Sequence, residues 1–377
     1  MNSRERVLCA LNHKQPDRVP LDLGAGKSCK FSLGAYKKVL SYFGMEEEIR
    51  FQKVMQTAFA SDAFFERIES DVRAVYPAFI REGAPDPEWE DEQYFYFRDQ
   101  WGTAYRKPKV DGLYFDYFEY PLEGKDEDAD AAYVLPRPSY ISKAAAQEAV
   151  AYRETGYPVI MTETFGSGFL HTGPKVYGFD DWFSILASEE QRAIAFLDKL
   201  LERKLEYWDK VSEVFGTSLD IVCEMDDVGM QTGPWISPTL FRRVIKPYYQ
   251  KLYPYIKKVT GAKLFLHCCG SITQLLPDLI EAGVDIVSPV QINAADMDPY
   301  KLKKEFGKDI CFWGGGVDTQ IILPTGTPQQ VKDHVKRNID AFSTDGGFVF
   351  AAVHNIQANV PVENIIAMWE SFMENRG

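Results

Sequence analysis

A histidine and a cysteine two residues apart end one of the apolar stretches of this chain. In Leu264-Phe-Leu-His-Cys-Cys-Gly270, a predicted strand stops at His267 and Cys269 and then turns through a glycine. Side chains two apart on a strand share one face, so both can bind one ion while Cys268 points the other way. A mixed nitrogen and thiolate ligand set favours zinc. A core histidine beside buried cysteines is the alternative that the pair leaves open.

Further side chains that could bind a metal follow other predicted strands. His354 closes the last of them, and in a closed barrel all strand ends share one mouth, so His354 can face His267 and Cys269. The carboxylate of Glu224 is the candidate for a fourth ligand, and the next two acids along the chain are competitors for that place. Acids in a loop after a strand are also compatible with solvated or capping roles. The predicted metal set comprises His267, Cys269, Glu224 and His354.

Eight short segments with the composition of strands position these residues. They are Arg18–Gly24, Asp71–Pro77, Pro158–Phe165, Leu219–Asp226, Lys263–Cys268, Val284–Val290, Ile310–Gly315 and Phe348–Asn355. From the third onward helical stretches separate them, such as Ser188–Phe215, Pro238–Lys258 and Ser271–Ala282. Eight strands with right-handed crossovers favour a closed (β/α)8 TIM barrel of the α/β class over an open sheet.

Catalytic groups in such a barrel lie at the carboxyl ends of the strands and in the loops that follow. Polar side chains end strand after strand here, which a purely structural chain would not require. We therefore expect catalytic acids at Asp226, Asp227 and Glu163. Substrate-binding side chains are expected at Asp22, His171, Gln291, Trp313, Tyr94 and Trp101.

The stretch between the second and third predicted strands, about residues 78–157, has the length of an insertion. Within it, Tyr94–Phe97 and Thr103–Arg106 flank a four-residue turn and predict a β-hairpin. Its many aromatic residues could form the apolar wall of a pocket, and they are equally compatible with an ordinary core. No linker or internal repeat divides the sequence, so residues 1–377 are interpreted as one domain with this insertion.

Charge and composition narrow the classes of function. The net charge of −13 argues against a nucleic-acid partner, which would need a basic face. The sequence contains no apolar run of the roughly 20 residues needed to span a bilayer. The first 20 residues do not have the pattern of a secretory signal, so we expect a cytoplasmic protein with no membrane association.

Several motifs, in order along the chain, resemble the uroporphyrinogen-decarboxylase superfamily. They are Arg4-Glu-Arg-Val-Leu-Cys-Ala-Leu-Asn12 with Pro16-Asp-Arg-Val-Pro20, Trp235-Ile-Ser-Pro-Thr-Leu-Phe241, the His267-Cys-Cys-Gly270 turn, Gly314-Gly-Gly-Val-Asp-Thr319, and Val353-His-Asn-Ile-Gln357. The resemblance extends from about residue 3 to residue 371. It implies a barrel, in agreement with the strand count.

Two branches of that superfamily imply different activities. The decarboxylase branch carries an arginine-rich loop after its first strand, and the corresponding segment here, Asp22–Cys29, contains no arginine. The corrinoid methyltransferase branch carries a zinc motif, His-x-Cys with a distant Cys, which matches His267 and Cys269, with His354 at the third position. The resemblance therefore implies zinc-dependent methyl transfer, and metal-free decarboxylation of a cyclic tetrapyrrole is the alternative.

The chain has no Asp-x-His-x-x-Gly signature for binding a corrinoid itself. A methyltransferase of this branch would then depend on a corrinoid, or cobalamin, carried by a separate corrinoid protein. The aromatic residues of the insertion favour an aromatic methyl ether as the small-molecule substrate, and hence O-demethylation. The identity of the methyl donor or acceptor and the direction of transfer stay open at this point.

Overall fold

A computed structural model describes residues 1–77, 79–80, 86–138 and 140–377. The helices are α1 Ser3–Leu11, α2 Leu33–Phe43, α3 Asp62–Arg67, α4 Glu127–Ala132, α5 Lys143–Glu154, α6 Thr172–Tyr177, α7 Phe179–Ser188, α8 Glu190–Phe215, α9 Pro238–Leu240, α10 Lys246–Thr260, α11 Leu276–Glu281, α12 Pro299–Phe306, α13 Ile322–Thr325, α14 Pro328–Phe342 and α15 Val362–Asn375. The strands are β1 Phe51–Gln52, β2 Thr57–Ala58, β3 Arg73–Val75, β4 Phe79–Ile80, β5 Glu88–Glu90, β6 Tyr94–Arg98, β7 Ala104–Pro108, β8 Asp116–Glu119, β9 Tyr140–Ile141, β10 Val159–Met161, β11 Ile221–Met225, β12 Lys263–His267, β13 Ile286–Ser288, β14 Cys311–Trp313 and β15 Phe348–Val349.

Seven of these strands form one parallel sheet in the order β15-β14-β13-β12-β11-β10-β3. An eighth segment closes it. The amide of Phe350 donates to the carbonyl of Pro20, the amide of Asp22 donates to the carbonyl of Phe350, and the amide of Asp71 donates to the carbonyl of Leu21, each at 2.9 Å. The segment around Leu21 therefore lies between the last and the second strand, and the predicted (β/α)8 barrel is confirmed.

The strands of the barrel bury both faces, and the two faces bury different residues. On β11, Ile221 and Cys223 belong to the cluster that fills the barrel, whereas Val222 belongs to the cluster shared with the surrounding helices. On β12, Phe265 points inward while Leu264 packs outward. This alternation with a period of two residues decides which side chains can reach the mouth of the barrel.

Asp71, at the start of the second barrel strand, joins the segments that close the barrel. Its buried carboxylate accepts hydrogen bonds from Arg6 at 2.8 Å, from Arg18 at 2.8 and 3.0 Å, from the hydroxyl of Ser3 at 2.8 Å and from the amide of Leu21 at 2.9 Å. The carboxylate thus connects α1 and the first barrel segment to the second strand.

The insertion forms a four-stranded antiparallel sheet, β5-β6-β7-β8, and the predicted hairpin is confirmed as β6 and β7. One face of this sheet carries Phe97, Tyr105 and Phe115, whose rings contact one another with centroids 4.6 and 5.1 Å apart. Residues 78, 81–85 and 139 of the predicted insertion lie outside the described residues. Within the part of the chain that the structure describes, no helix has the length and apolar run that a membrane span requires.

Candidate functional site

A cavity of about 710 Å³ lies at the mouth of the barrel, under the sheet of the insertion. Its floor carries residues from the ends of the barrel strands, and one wall comes from the insertion. The wall is aromatic because the side chains on one face of the four-stranded sheet turn toward the barrel. Its aromatic lining residues are Phe97, Trp101, Tyr105, Tyr114, Phe115, Tyr117, Phe165 and Tyr207.

His267, Cys269 and His354 meet on the floor of this cavity. Nε2 of His267 lies 3.6 Å from Sγ of Cys269, and the rings of the two histidines have centroids 5.9 Å apart. One potential ligand atom from each residue lies within 4.8 Å of the other two. The barrel thus brings together three of the four residues that the sequence predicts as metal ligands.

His267 and Cys269 have the spacing of two ligands of a tetrahedral zinc ion. Zn–S bonds of about 2.3 Å and Zn–N bonds of about 2.0–2.1 Å at a tetrahedral angle place the sulfur and nitrogen roughly 3.6 Å apart. The separation between His267 and Cys269 has this value.

Burial sets the charge state of this group. It lowers the pKa of His267 to about 3, against the opposing effect of the nearby Asp227 carboxylate, and it also lowers the pKa of His354. Both imidazoles are therefore neutral near pH 7, with a lone pair available to a metal. Burial, reinforced by the charge of Asp227, raises the pKa of the Cys269 thiol.

Asp227 lies beside the three residues and connects them to His171. Its Oδ1 accepts the amide of Cys269 at 2.8 Å and lies 3.8 Å from Nε2 of His267. Its Oδ2 lies 3.2 Å from Nδ1 of His171. Burial acts to raise the pKa of Asp227, but the contact with His171 and the two nearby imidazoles lower it below its ordinary value. Asp227, His171 and the predicted Glu163 all line the cavity.

Glu224 does not join this group, contrary to the expected metal role. It lies on the helix-facing side of β11, where Oε2 accepts Nζ of Lys204 and Oε1 accepts Nε1 of Trp208, both at 2.7 Å. Position 224 has the same parity as the outward-facing Val222, so its side chain points away from the barrel axis. The buried ion pair with α8 uses the carboxylate that a metal would need.

Asp22 and Trp313 also lie outside the cavity wall, although both were predicted to bind substrate. They are buried inside the barrel below the mouth, where Nε1 of Trp313 donates to Oδ2 of Asp22 at 2.9 Å. The amides of Ala25 and Gly26 donate to the same carboxylate. The pair thus supports the loop after the first barrel segment from beneath and does not line the cavity.

Three other predicted site residues, Asp226, Gln291 and Tyr94, do not line the cavity. The carboxylate of Asp226 accepts the amides of Leu170 and His171 at 2.9 and 2.8 Å and the hydroxyl of Tyr249 at 2.7 Å. The amide oxygen of Gln291 accepts the amide of Gly270, next to Cys269, at 2.8 Å. Tyr94 lies on the other face of the insertion sheet, under Arg106.

The structure adds cavity residues that the sequence analysis did not select. Lys27 follows the first barrel segment, and its Nζ donates to the carbonyl of Thr162 at 3.2 Å. Phe97 and Tyr105 line the aromatic wall together with the predicted Trp101. The alternation of side chains in the predicted hairpin places Phe97 and Tyr94 on opposite faces, but it does not indicate which face turns toward the barrel.

Comparison with known proteins identifies the family. The uroporphyrinogen decarboxylase (URO-D) family profile matches residues 168–374. The chain belongs to this family. The matched region contains His267, Cys269 and His354, and therefore all three members of the group on the cavity floor.

Two relatives from Methanosarcina mazei have methyltransferase names. The curated methylated-thiol–coenzyme M methyltransferase is 23% identical over 181 residues, which are 48% of this chain and 44% of that protein, so the match spans less than half of the relative's length. The solved structure of a methyltransferase from M. mazei aligns over 99% of both chains with a TM-score of 0.63 at 16% identity. That likeness establishes a shared fold.

Proposed function

We propose that this protein is a zinc-dependent methyltransferase that moves a methyl group between a small substrate and the corrinoid of a separate corrinoid protein. The group of His267, Cys269 and His354 on the floor of an aromatic-walled cavity is the observation that carries the proposal. The methyltransferase names of the two M. mazei relatives support it.

His267, Cys269 and His354 would hold the zinc ion. Zinc bound there would supply Lewis-acid activation of the heteroatom that carries or receives the methyl group. Asp227 orients Cys269, since its carboxylate accepts the backbone amide of that residue. Partners of this kind fix the orientation of metal ligands and are needed for full affinity.

The aromatic wall favours an aromatic methyl ether as the substrate. Phe97, Trp101, Tyr105 and Phe115 present ring faces and edges to the cavity, which suits offset or edge-on packing against a second aromatic ring. The direction in which this chemistry would run is removal of the methyl group from the ether oxygen.

The corrinoid would arrive on the partner protein. The chain lacks the Asp-x-His-x-x-Gly signature for holding the cofactor itself, so the reacting cobalt has to be presented at the barrel mouth from outside. In this arrangement the present chain supplies the substrate pocket and the metal site, and the partner supplies the group that carries the methyl.

Metal content tests the proposal directly. Elemental analysis of the full-length protein, purified without added metal, should give one zinc per chain. A zinc content near zero would contradict the proposal and would favour the alternative, a metal-free decarboxylase.

A matched pair of cysteine variants tests the link between the metal and the reaction. Cys269→Ala should abolish methyl transfer, because activation by a bound metal contributes several kcal/mol to the transition state and each 1.4 kcal/mol is about tenfold in rate. Cys268 is the control, since its buried sulfur accepts the amide of Val228 at 3.4 Å on the outward face. Cys268→Ala should keep zinc and most of the activity, and equal loss in both variants would contradict the assignment.

A further inference from the structure

His171 is one of the titratable side chains of the cavity that the proposed zinc chemistry leaves without a role. It follows the loop after β10, its side chain is 16% exposed, and it lines the cavity with the three metal-binding residues. It does not belong to the group whose potential ligand atoms lie within 4.8 Å of one another. Its ring is therefore available for a separate task.

Two consecutive acids fix the position of His171. Asp226 accepts the backbone amide of His171 at 2.8 Å, and Asp227 places its Oδ2 3.2 Å from Nδ1 of the ring. On the far side, the ring contacts the indole of Trp235, with centroids 5.4 Å apart. Nδ1 is buried beside Asp227, which leaves Nε2 as the other ring nitrogen for an exchange of protons with a substrate.

The charges around His171 favour its protonated form. Burial acts to lower the pKa of the imidazole, but the contact with Asp227 and the charges of Asp227 and Asp226 outweigh it, so the pKa is raised although Lys175 opposes this. His267, on the cavity floor, is shifted the other way by burial. The pKa values of the two histidines of the same cavity are thus shifted in opposite directions, a pattern that suits a proton donor beside a metal ligand.

We propose that His171, held by Asp227, is the acid that protonates the heteroatom of the substrate as the methyl group leaves, and the base that removes this proton in the reverse reaction. This role rests on the proposed function, since it assumes methyl transfer in the cavity. Asp227 acts as a positioning residue, keeping Nδ1–H of the ring fixed while Nε2 loses and regains its proton.

The step balances without any further reactant. The carbon–oxygen bond of the ether breaks and its electron pair stays on oxygen, which takes the proton from Nε2 of His171. The methyl group would pass to the reduced corrinoid of the partner protein, whose cobalt would supply both electrons of the new bond. The neutral imidazole keeps its contact with Asp227. An acid of this kind contributes about 10²–10⁴-fold to a rate.

Titration of the ring is the first test and does not depend on turnover. The chain contains five histidines, so imidazole signals in an NMR spectrum of the full-length protein can be assigned with single variants. The pKa of His171 should lie above its ordinary value of 6.5 and should fall in Asp227→Asn. His334, on α14, is the control and should not move in that variant. A His171 pKa below 6.5 would overturn the proposal.

The dependence on the leaving group is the second test. With the zinc-loaded protein and cob(I)alamin as methyl acceptor, His171→Gln should slow demethylation of methoxybenzene by about 10²-fold or more. With 4-nitroanisole the loss should stay below about tenfold, because nitrophenolate leaves without needing a proton. In the wild type, the rate with methoxybenzene should fall as the pH rises through the pKa of His171, and His171→Gln should remove this dependence.

The remaining outcomes separate the two proposals. His334→Gln should keep the wild-type rates on both ethers. Equal losses on both ethers in His171→Gln indicate a structural role for the residue and overturn the acid assignment. A wild-type protein that binds zinc but demethylates neither ether contradicts methyl-ether chemistry itself, and the acid role then falls with it even where the ring titrates as expected.

Discussion

Glu224 and His267 lie on neighbouring strands, one register position apart, yet they serve opposite sides of the barrel wall. Met225 is the residue paired with His267, while Glu224 pairs with Leu266. Leu266 packs against the helices, and Glu224 faces the same way toward Lys204. At the scale of single residues, a shift of one position along a strand decides whether a carboxylate meets the cavity or the helix layer.

The sequence contains enough information to make this distinction. Ile221 and Cys223 face the inside of the barrel. The alternation along the strand therefore turns Glu224 outward and Asp227 inward. His267 and Cys269 both line the cavity, in agreement with the two-residue period of a strand. The ion pair of Glu224 with Lys204 could not be predicted, since it depends on how α8 packs against β11.

Removal of the Glu224 charge tests the structural assignment. Glu224→Gln leaves the ammonium of Lys204, which is 0% exposed, without its carboxylate. We expect the free energy of unfolding to fall by about 3–5 kcal/mol, the usual cost of breaking a buried ion pair, while zinc content stays at the wild-type level. Urea unfolding and elemental analysis of the folded fraction measure the two quantities.

The double variant Lys204→Met, Glu224→Leu provides the control for this prediction. Replacing both charges by apolar groups should recover part of the lost stability, because no unpaired buried charge remains. Loss of zinc from a folded Glu224→Gln protein would instead show that Glu224 is a metal ligand.

The turn after β12 is the element that presents Cys269 to the cavity. Gly270 adopts a φ of +89°, and a methyl group on it would lie 2.5 Å from the backbone carbonyl of Gly229. Its amide is held by Gln291. The glycine therefore satisfies both a left-handed backbone and a close approach of two loops, neither of which a larger residue permits.

Gly270→Ala should weaken metal binding by moving Cys269. We expect at least about a tenfold loss of zinc affinity, since a strained backbone of this kind costs on the order of 1–3 kcal/mol and acts directly on a ligand. Competition with a chromophoric chelator measures the affinity.

Gly261 is the matched control for the Gly270 variant. It ends α10 with a φ of +69° and has no neighbour within 4 Å of the added methyl group. Gly261→Ala should lower stability by about 1 kcal/mol without changing zinc affinity. Similar zinc affinities in the two alanine variants would show that the turn tolerates the change.

The insertion sheet shows what could and could not be predicted at the level of an element. The hairpin β6–β7 follows from two alternating segments around a short turn, and it is present in the structure. Which face turns toward the barrel depends on how the sheet packs over the mouth, and this long-range contact leaves no local signal. Tyr94 was therefore placed in the site while Phe97 was omitted.

The two faces of the sheet should respond differently to substitution. Trp101, which lines the cavity and is 2% exposed, should be needed for binding an aromatic ether, so Trp101→Leu should raise its Kd by about tenfold, in line with the loss of a ring–ring contact and buried area. Tyr94→Leu, on the outer face, should leave the Kd unchanged. Calorimetric titration with methoxybenzene measures both, and equal effects would contradict the assignment of the faces.

At the scale of the whole molecule, Asp71 connects the segments that close the barrel. Its carboxylate accepts donors from α1, from Arg18 and from Leu21, so it fixes the first barrel segment to the second strand. Asp71→Asn should lower the free energy of unfolding by about 3–5 kcal/mol, because two arginines lose their buried partner.

Asp17 is the control for Asp71. It also pairs with Arg6, but its side chain is 39% exposed, so Asp17→Asn should cost less than about 1 kcal/mol. Urea denaturation of both variants measures the difference in the free energy of unfolding. Equal destabilisation would show that burial of Asp71 does not make its ion pairs more important for stability than those of Asp17.

Barrel closure also has a consequence for how the protein matures during synthesis. The segment around Leu21 pairs with Phe350, about 330 residues later. The first barrel segment can therefore form this pairing only after Phe350 has been synthesised. His354 is made in the same late segment, long after His267 and Cys269. Until His354 has been translated, His267 and Cys269 lack the third residue of the group on the cavity floor. The three residues of the proposed zinc site therefore come together only after the last barrel strand has been translated, and we expect zinc to bind late in folding.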